Sequence, residues 1–404
     1  MLKSLKMIWL KLLLKKQNNP LSPLAETPIY HLSILNLPYK NLHPITSSSK
    51  QAKSHTIARL LCILCICLLH NVDSTTTPSD SPSSAQAPKA APPTLQMRTH
   101  ALLKLDYEND ANFDSRVDKY YTAGVRLGFI SKESSALKFL RFASLQQFFT
   151  PSAATSFGLA IKQEMYAPKD RFSPIPPADD HPYGGYVGAT FSSLTRSAYI
   201  FENLSIDLGL VGKASGAKEV QDLIHDLTNN AHLAGWGTQL RNEFILNAHW
   251  GISASIPQIL EHTAHSLDLM PQFSLNLGNA RIHAQASLLM RFGYALSPNT
   301  APMLINSGFV GAPSPSRSFC LYGFAGAGVR AVGRNIFLQG NTFAPHFAVE
   351  KTIAIMPFMA EFIWGGVLEY RRFMLTLSVV HRSKEFATQD GFHNFGLISL
   401  GVKI

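Results

Sequence analysis

The chain has 404 residues, of which 15% are charged, and its formal net charge at pH 7 is +10. That length suits two ordinary domains or one large β domain with appendages. Residues 1–97 carry ten Lys/Arg and three Asp/Glu, whereas residues 98–404 carry 26 and 23. The excess charge therefore belongs mostly to the first part, which excludes nucleic-acid binding as the meaning of the high pI.

Residues 1–73 are interpreted as a leader. Residues 60–69, LLCILCICLL, form an apolar run with the length of a signal-peptide core, too short for a spanning helix. Its three cysteines have aliphatic neighbours, which favours a hydrophobic segment over a metal cluster. The run lies unusually far from Met1. Either the true start is downstream, or residues 1–16 form a separate basic amphipathic helix.

Residues 74–97 are rich in Ser, Thr, Pro and Ala, and we predict a disordered linker. The folded domain is predicted to span residues 98–404, where Cys320 is the single remaining cysteine. One cysteine allows no disulfide within this domain, and a domain of this size needs none. The leader predicts an exported protein.

From residue 98 onward, apolar and polar residues alternate. In the closing run FGLISLGVKI, the side chains of Ile398, Leu400, Val402 and Ile404 fall on one face. About twelve such runs follow one another, many near the length of a membrane-crossing strand. A soluble sandwich would also alternate. The export signal, the even strand count and the glycine-rich second face favour an all-β fold, an antiparallel transmembrane β-barrel of outer-membrane type.

The first predicted strand ends in the motif YENDANF, residues 107–113. Asn and Asp favour turns, but clustered oxygens also suit a hard cation, so both interpretations stay open here. In an exported barrel whose N-terminus is periplasmic, odd-to-even connections lie outside the cell. This places Asn109 and Asp110 at the extracellular rim, where Thr122 begins the second strand.

Two further outer loops meet this rim. The second loop carries Lys169 and Arg171. The third, residues 213–235, predicts a short helix in which Gln221 and His225, at positions i and i+4, project together. Scattered polar residues would fall on both rims equally. Convergence on one rim favours a functional site over solvated side chains.

In this order, the motifs resemble those of the outer-membrane lipid A 3′-O-deacylases. They are YENDANF, DKYYTAG, MYAP, DHPYGGY, EVQDLIH, GW-x-x-QLRNE, FLQGNTF and a late KEF. The resemblance covers about residues 100–404. It implies a twelve-stranded barrel with a calcium-dependent esterase site facing the outer leaflet. The implied substrate is lipid A of lipopolysaccharide, which loses its 3′-linked acyloxyacyl chain. We expect a monomer surrounded by outer-membrane lipid.

The resemblance carries over motif by motif to Asn109 and Asp110, to Thr122 of YTAG, and to Gln221 and His225 of EVQ-x-x-x-H. It implies that His225 is a general base for the attacking water. A calcium ion held partly by Asp110 would polarise the ester carbonyl. Asn109 and Thr122 would add neutral hydrogen bonds, and Gln221 would orient the base or the substrate.

Lys169 or Arg171 would meet a lipid A phosphate. The chain departs from the family pattern at Ala231, where an acidic metal ligand can stand, and at His181, where Arg is usual. A lost carboxylate should weaken calcium binding. The alternative function is a non-catalytic barrel that binds lipopolysaccharide or acts as a pore or adhesin. A phospholipase is less favoured, because H-x-S-N-G and G-x-S-x-G are absent from the sequence.

Overall fold

The alternating runs form thirteen antiparallel strand segments in the computed structural model, which describes residues 95–404 except 96, 111–117, 150–152, 260–264, 298–299, 313–318 and 346. The segments are β1 (Leu102–Asn109), β2 (Tyr120–Ile130), β3 (Ala154–Ala167), β4 (Gly184–Arg196), β5 (Ile200–Val211), β6 (Glu243–Ala254), β7 (Ile256–Ile259), β8 (His265–Gly278), β9 (Arg281–Tyr294), β10 (Phe319–Asn335), β11 (Phe358–Tyr370), β12 (Phe373–Arg382) and β13 (His393–Lys403). The predicted leader and nearly all of the predicted linker lie outside the described residues.

The strands close into a barrel. Each segment pairs with its sequence neighbours, except that β6 and β7 lie end to end along β8, separated by Ser255. The pairing of β1 with β13, from Leu102 opposite Lys403 to Asn109 opposite Gly396, completes the ring. Twelve strand positions result, because β6 and β7 share one. The predicted twelve-stranded antiparallel barrel is confirmed.

The two faces of the wall are those of a membrane barrel. Outward side chains are apolar and exposed, as at Leu127 (59%), Ile161 (64%) and Phe191 (50%). Inward side chains are charged and paired, as where Arg126 Nη2 lies 2.6 Å from Asp106 Oδ2. This arrangement inverts that of a soluble protein and matches a wall that faces lipid. Among the described residues, no helix is long and apolar enough to cross a membrane.

The two rims differ in their connections. At the rim where β1 begins and β13 ends, called the terminal rim, the β2–β3 connection contains a 3₁₀ helix (Ser135–Ala143) and α1 (Gln146–Phe149). The opposite rim, called the loop rim, carries long connections. Its helices are α2 (Ala217–Thr228), α3 (Ile336–Gln339) and two 3₁₀ turns (Lys213–Ser215 and Trp236–Thr238). The predicted helix in the third outer loop is therefore present as α2.

Residues 300–312, called the plug, enter the lumen from the β9–β10 connection at the terminal rim. The backbone N–H of Ile305 donates to Glu108 Oε1 at 2.6 Å. Further up, Asn306 Nδ2 donates to the hydroxyl of Tyr166, which lies one residue from the loop-rim end of β3. The plug thus reaches from one rim to the underside of the other.

The plug is held by buried ion pairs of the wall. Glu361 accepts hydrogen bonds from Arg330 Nη2 at 3.0 Å and from Arg382 Nη2 at 2.7 Å. The N–H of Gly308, in the plug, donates to the same carboxylate at 3.4 Å. Arg382 in turn donates to the backbone oxygen of Asn306. Wall and plug therefore share one hydrogen-bonded network in which Glu361 serves two arginines, and Arg382 also lies 3.5 Å from Glu385.

Candidate active site

Helix α2 lies against the outside of the barrel wall beside the loop rim. Gly212 and Gly216, with φ of 88° and 66°, turn the chain through left-handed conformations that glycine adopts readily. Ala217 then packs in one cluster with Ala123 and Met165, which belong to β2 and β3. The helix is thus seated on the lipid-facing side of the wall, and not over the lumen.

The polar face of α2 turns toward the protein. Gln221 and His225 are both buried, as their i, i+4 spacing predicted for residues on one face. Leu223 and Leu227 are 58% and 78% exposed. A helix that buries its polar face and exposes leucines is suited to a lipid environment on its open side.

The His225 imidazole is held from both sides. Its Nδ1 lies 2.7 Å from the backbone oxygen of Ala231, which can only accept a hydrogen bond. This contact favours the tautomer with its proton on Nδ1, in which Nε2 is the acceptor nitrogen. Nε2 lies 3.6 Å from Asp118 Oδ2. Position 231 thus contributes through its backbone, whatever its side chain.

Asp118 was not singled out by the sequence analysis. It is the first residue of the DKYYTAG motif, two positions before Tyr120, and no role was assigned to it. The informative contact joins residues that are distant in sequence, so no local pattern signals it. Arg171 also reaches this residue, since its Nη1 donates to the backbone oxygen of Asp118 at 3.3 Å.

Gln221 is fixed by Trp236, which belongs to the GW-x-x-QLRNE motif. Trp236 Nε1 donates to Gln221 Oε1 at 2.8 Å, and both side chains are buried. Because the Oε1 atom accepts, the Gln221 side chain keeps its NH₂ group for another acceptor. This amide lies one helical turn before His225, which supports an orienting role.

Asn109, Asp110 and Thr122 form one corner at the loop-rim ends of β1 and β2. The register shifts between Tyr121 and Ala123, and Thr122 is the extra residue of this bulge. Its carbonyl accepts from Asn109 Nδ2 at 3.1 Å and from the Asp110 N–H at 3.2 Å. The Thr122 carbonyl therefore holds Asn109 and Asp110 against the bulge.

Two further contacts complete the corner. The Thr122 hydroxyl donates to the Met165 carbonyl at 3.1 Å, which leaves its oxygen able to accept. The buried Asp110 carboxylate accepts from the N–H of Lys119 at 2.8 Å. Lys119 follows Asp118 in the chain, so the Asn-Asp corner and the His225 site are neighbours.

The two predicted loop cations, Arg171 and Lys169, have different partners in the structure. Arg171 joins the site through Asp118, as described above. Lys169 instead pairs with Asp390 in the β12–β13 connection, with Nζ 3.0 Å from Oδ2 and both side chains exposed. An exposed pair of this kind is weak and exchanges readily for another anion. Lys169 therefore stays within reach of an anionic ligand at the rim.

His181 does not replace the arginine that is usual in its motif. The ring is buried and stacks on Tyr166, with ring centroids 5.7 Å apart. Burial lowers the pKa of His181 below its ordinary value, since charging the ring would cost its hydration. A neutral, stacked imidazole supports the loop and supplies no cation.

The donor chemistry of the corner fits a hard cation. Asp110 and Asp118 provide carboxylates, and Asn109 provides an amide oxygen, which are the ligand types that calcium prefers. Within the described residues, no group of three or more His, Cys, Asp and Glu side chains is already gathered as a metal site. The fit rests on two carboxylates together with neutral oxygens.

The fold and the site define an outer-membrane β-barrel with a buried polar site between its outer wall and a loop helix. The chain belongs to the LpxR family of outer-membrane proteins, whose profile matches residues 63–404. The predicted family of lipid A deacylase barrels is thereby confirmed. No curated protein matches the chain.

One solved structure shows the same fold. The chain is similar to LpxR from Salmonella typhimurium, with 19% identity and a TM-score of 0.59 over 75% of this chain and 100% of that one. The β domain of the Bordetella autotransporter Brka gives 9% identity and a TM-score of 0.37 over 75% of this chain and 96% of that one. The similarity to LpxR supports the barrel architecture. The similarity to the Brka domain is too low to support a conclusion about fold.

Proposed function

We propose that this protein hydrolyses the 3′-linked acyloxyacyl ester of lipid A in the outer leaflet. The supporting observation is the buried His225, oriented by Ala231 and faced by Asp118 on the lipid-facing side of the wall. Long connections of outer-membrane barrels are extracellular, so the loop rim would lie at the outer leaflet. The exposed Leu223 and Leu227 would then meet acyl chains.

The proposed reaction uses His225 as general base and then general acid. Nε2 takes a proton from water as the water oxygen bonds to the ester carbonyl carbon. The resulting imidazolium is stabilised by the nearby Asp118 carboxylate. When the tetrahedral intermediate collapses, the C–O ester bond breaks and Nε2 returns the proton to the departing alkoxide. The products are a free carboxylate chain and a hydroxyl on lipid A.

Calcium, when bound, would supply positive charge beside the ester oxygen. Asp110 and Asp118 are the carboxylates proposed to hold it, with the Asn109 amide oxygen beside them. The Thr122 hydroxyl and the Gln221 amide are proposed to position the substrate. Arg171 and Lys169 are proposed to meet a lipid A phosphate, since guanidinium and ammonium groups pair well with phosphate oxygens.

Mass spectrometry of lipid A from cells that express the full chain tests this function. We expect loss of the 3′ acyloxyacyl mass relative to cells with an empty vector. Unchanged lipid A, with the barrel shown to be folded in the outer membrane, would reject the proposal and favour a lipopolysaccharide-binding relative without activity.

Calcium chelation is expected to abolish deacylation, and added calcium to restore it. Asp110→Asn and Asp118→Asn should each raise the calcium concentration needed for half-maximal activity, because each removes one ligand charge. Asp226→Asn is the matched control, since this exposed carboxylate of α2 pairs with His232 away from the corner. Identical calcium titrations for all three variants would contradict the assignment.

The pore alternative makes an opposite prediction. Because the plug occupies the lumen, reconstituted barrels are expected to show no steady ionic conductance in planar bilayers, beside an open porin as reference. Single insertions with ohmic conductance would show that the plug leaves the barrel during normal residence in the membrane. That result would favour transport over catalysis.

A further inference from the structure

Residues 134–149, called the foot, lie on the outer wall near the terminal rim and include the 3₁₀ helix and α1. The foot begins at Ser134, which caps the 3₁₀ helix by accepting from the Ala136 N–H. The hydroxyl of Ser193 donates to the Leu140 carbonyl at 2.9 Å. Ser193 alternates with the inward Leu194 in β4, so the foot is bound from the lipid-facing side.

A buried carboxylate clamps the foot to this side. Glu202 alternates with inward residues of β5 and therefore points out of the barrel, yet it is 1% exposed. It accepts from Ser144 Oγ at 2.5 Å and from the Leu145 N–H at 3.0 Å. The Gln146 N–H and the Trp250 indole, at 3.4 Å and 2.6 Å, complete its shell.

This clamp fixes the depth of the foot. A bare carboxylate on a lipid-facing wall is costly, and the foot supplies most of the donors that satisfy it. The foot therefore cannot swing away into water without leaving Glu202 exposed to hydrocarbon. The foot therefore stays bound to the wall at the height of Glu202, which is the third residue of β5 from the terminal rim.

The outer surface of the foot is apolar. Phe148 is 72% exposed, Phe139 is 65% exposed and Leu145 is 44% exposed. Water is a poor environment for such a patch, and large exposed patches mark interaction surfaces. The patch lies beside the apolar lipid-facing wall, because the foot is bound to outward residues of β4 and β5. Trp250 and Phe273, with centroids 6.1 Å apart, form an aromatic pair on that wall. Aromatic girdles of this kind lie at the membrane–water interface.

We propose that the foot is an interfacial anchor whose aromatic side chains insert among the phospholipids of the leaflet at the terminal rim. Lipid is the occupant because the patch lies beside the wall that already faces lipid. Arg141 lies within the foot and supplies a guanidinium that can pair with headgroup phosphates. The anchor holds the barrel at one height and rests on no assumption about catalysis.

Tryptophan quenching by brominated phospholipids tests the anchor. Phe148→Trp and Phe139→Trp are compared with the parent protein in symmetric vesicles, with bromine placed either near the headgroup or deep in the chains. We expect the added emission to be blue-shifted and strongly quenched, more by the shallow label than by the deep one. Symmetric vesicles make the result independent of insertion direction.

Lys132→Trp is the control, because this exposed position precedes the foot and should face water. Heat-modifiable migration on gels shows that each variant is folded. Added emission that is as insensitive to brominated lipid as the Lys132→Trp signal would overturn the proposal. If cross-linking then joined foot to foot, the patch would be an interface between two copies.

Discussion

His225→Ala is expected to eliminate detectable removal of the 3′ acyl chain from lipid A. A positioned general base contributes about 10²–10⁴-fold to rate, and His225 is the proposed base. The substitution is expected to leave the barrel intact, because the imidazole is held by a loop carbonyl and by the nearby Asp118 carboxylate. Mass spectrometry of lipid A, with a time course in purified membranes, measures the loss.

His232→Ala is the matched control for this experiment. His232 lies just beyond the same helix, is half-exposed and pairs with Asp226. Its removal should leave the lipid A spectrum as in wild type. If His225→Ala still deacylates lipid A at the wild-type rate, another residue is the general base. That result would contradict the proposed mechanism but not the barrel fold.

Glu361→Ala is expected to cost about 3–5 kcal/mol of barrel stability, because it removes the carboxylate shared by two buried arginines and leaves Arg382 with the longer Glu385 contact, at 3.5 Å. Arg330 and Arg382 both direct guanidinium groups at this carboxylate, and the plug backbone joins them through Gly308. Urea titration of vesicle-inserted protein, followed by heat-modifiable migration, measures the shift in unfolding midpoint. Glu361→Gln should fall between the wild type and Glu361→Ala, since it keeps acceptor capacity but loses the charge.

Glu350→Ala provides the comparison, because this carboxylate lies exposed in a loop-rim connection. Its effect should stay within about 0.5 kcal/mol, as for most surface substitutions. A Glu361→Ala barrel that unfolds at the wild-type urea concentration would show that water or another residue satisfies the two arginines.

The barrel could be predicted from sequence because its wall repeats one simple rule. Every strand separates lipid from lumen, so every strand alternates, and the closing run FGLISLGVKI shows the rule in ten residues. The Gln221 and His225 pair was predictable for the same kind of reason, since helical spacing places both on one face. Both burials confirm that local geometry.

The unpredicted features depend on backbone groups or on distant partners. Ala231 was read as a lost side chain, whereas the structure uses its carbonyl. The plug donates backbone N–H groups to Glu108 and Glu361, so its side-chain pattern carries little signal. Asp118 gains its meaning only from the fold, which brings the residues before β2 beside α2. Such contacts produce no periodic pattern of residue types in the sequence.

The plug has a consequence for how the barrel is assembled. It arises between β9 and β10 but is hydrogen-bonded to Glu108 in β1, roughly two hundred positions earlier in the chain. We expect the plug to be in place when the seam between β1 and β13 forms, because it bonds to Glu108 of β1 and to Glu361 of β11. Strand-by-strand insertion therefore has to place the plug in the lumen before the last strand pair forms.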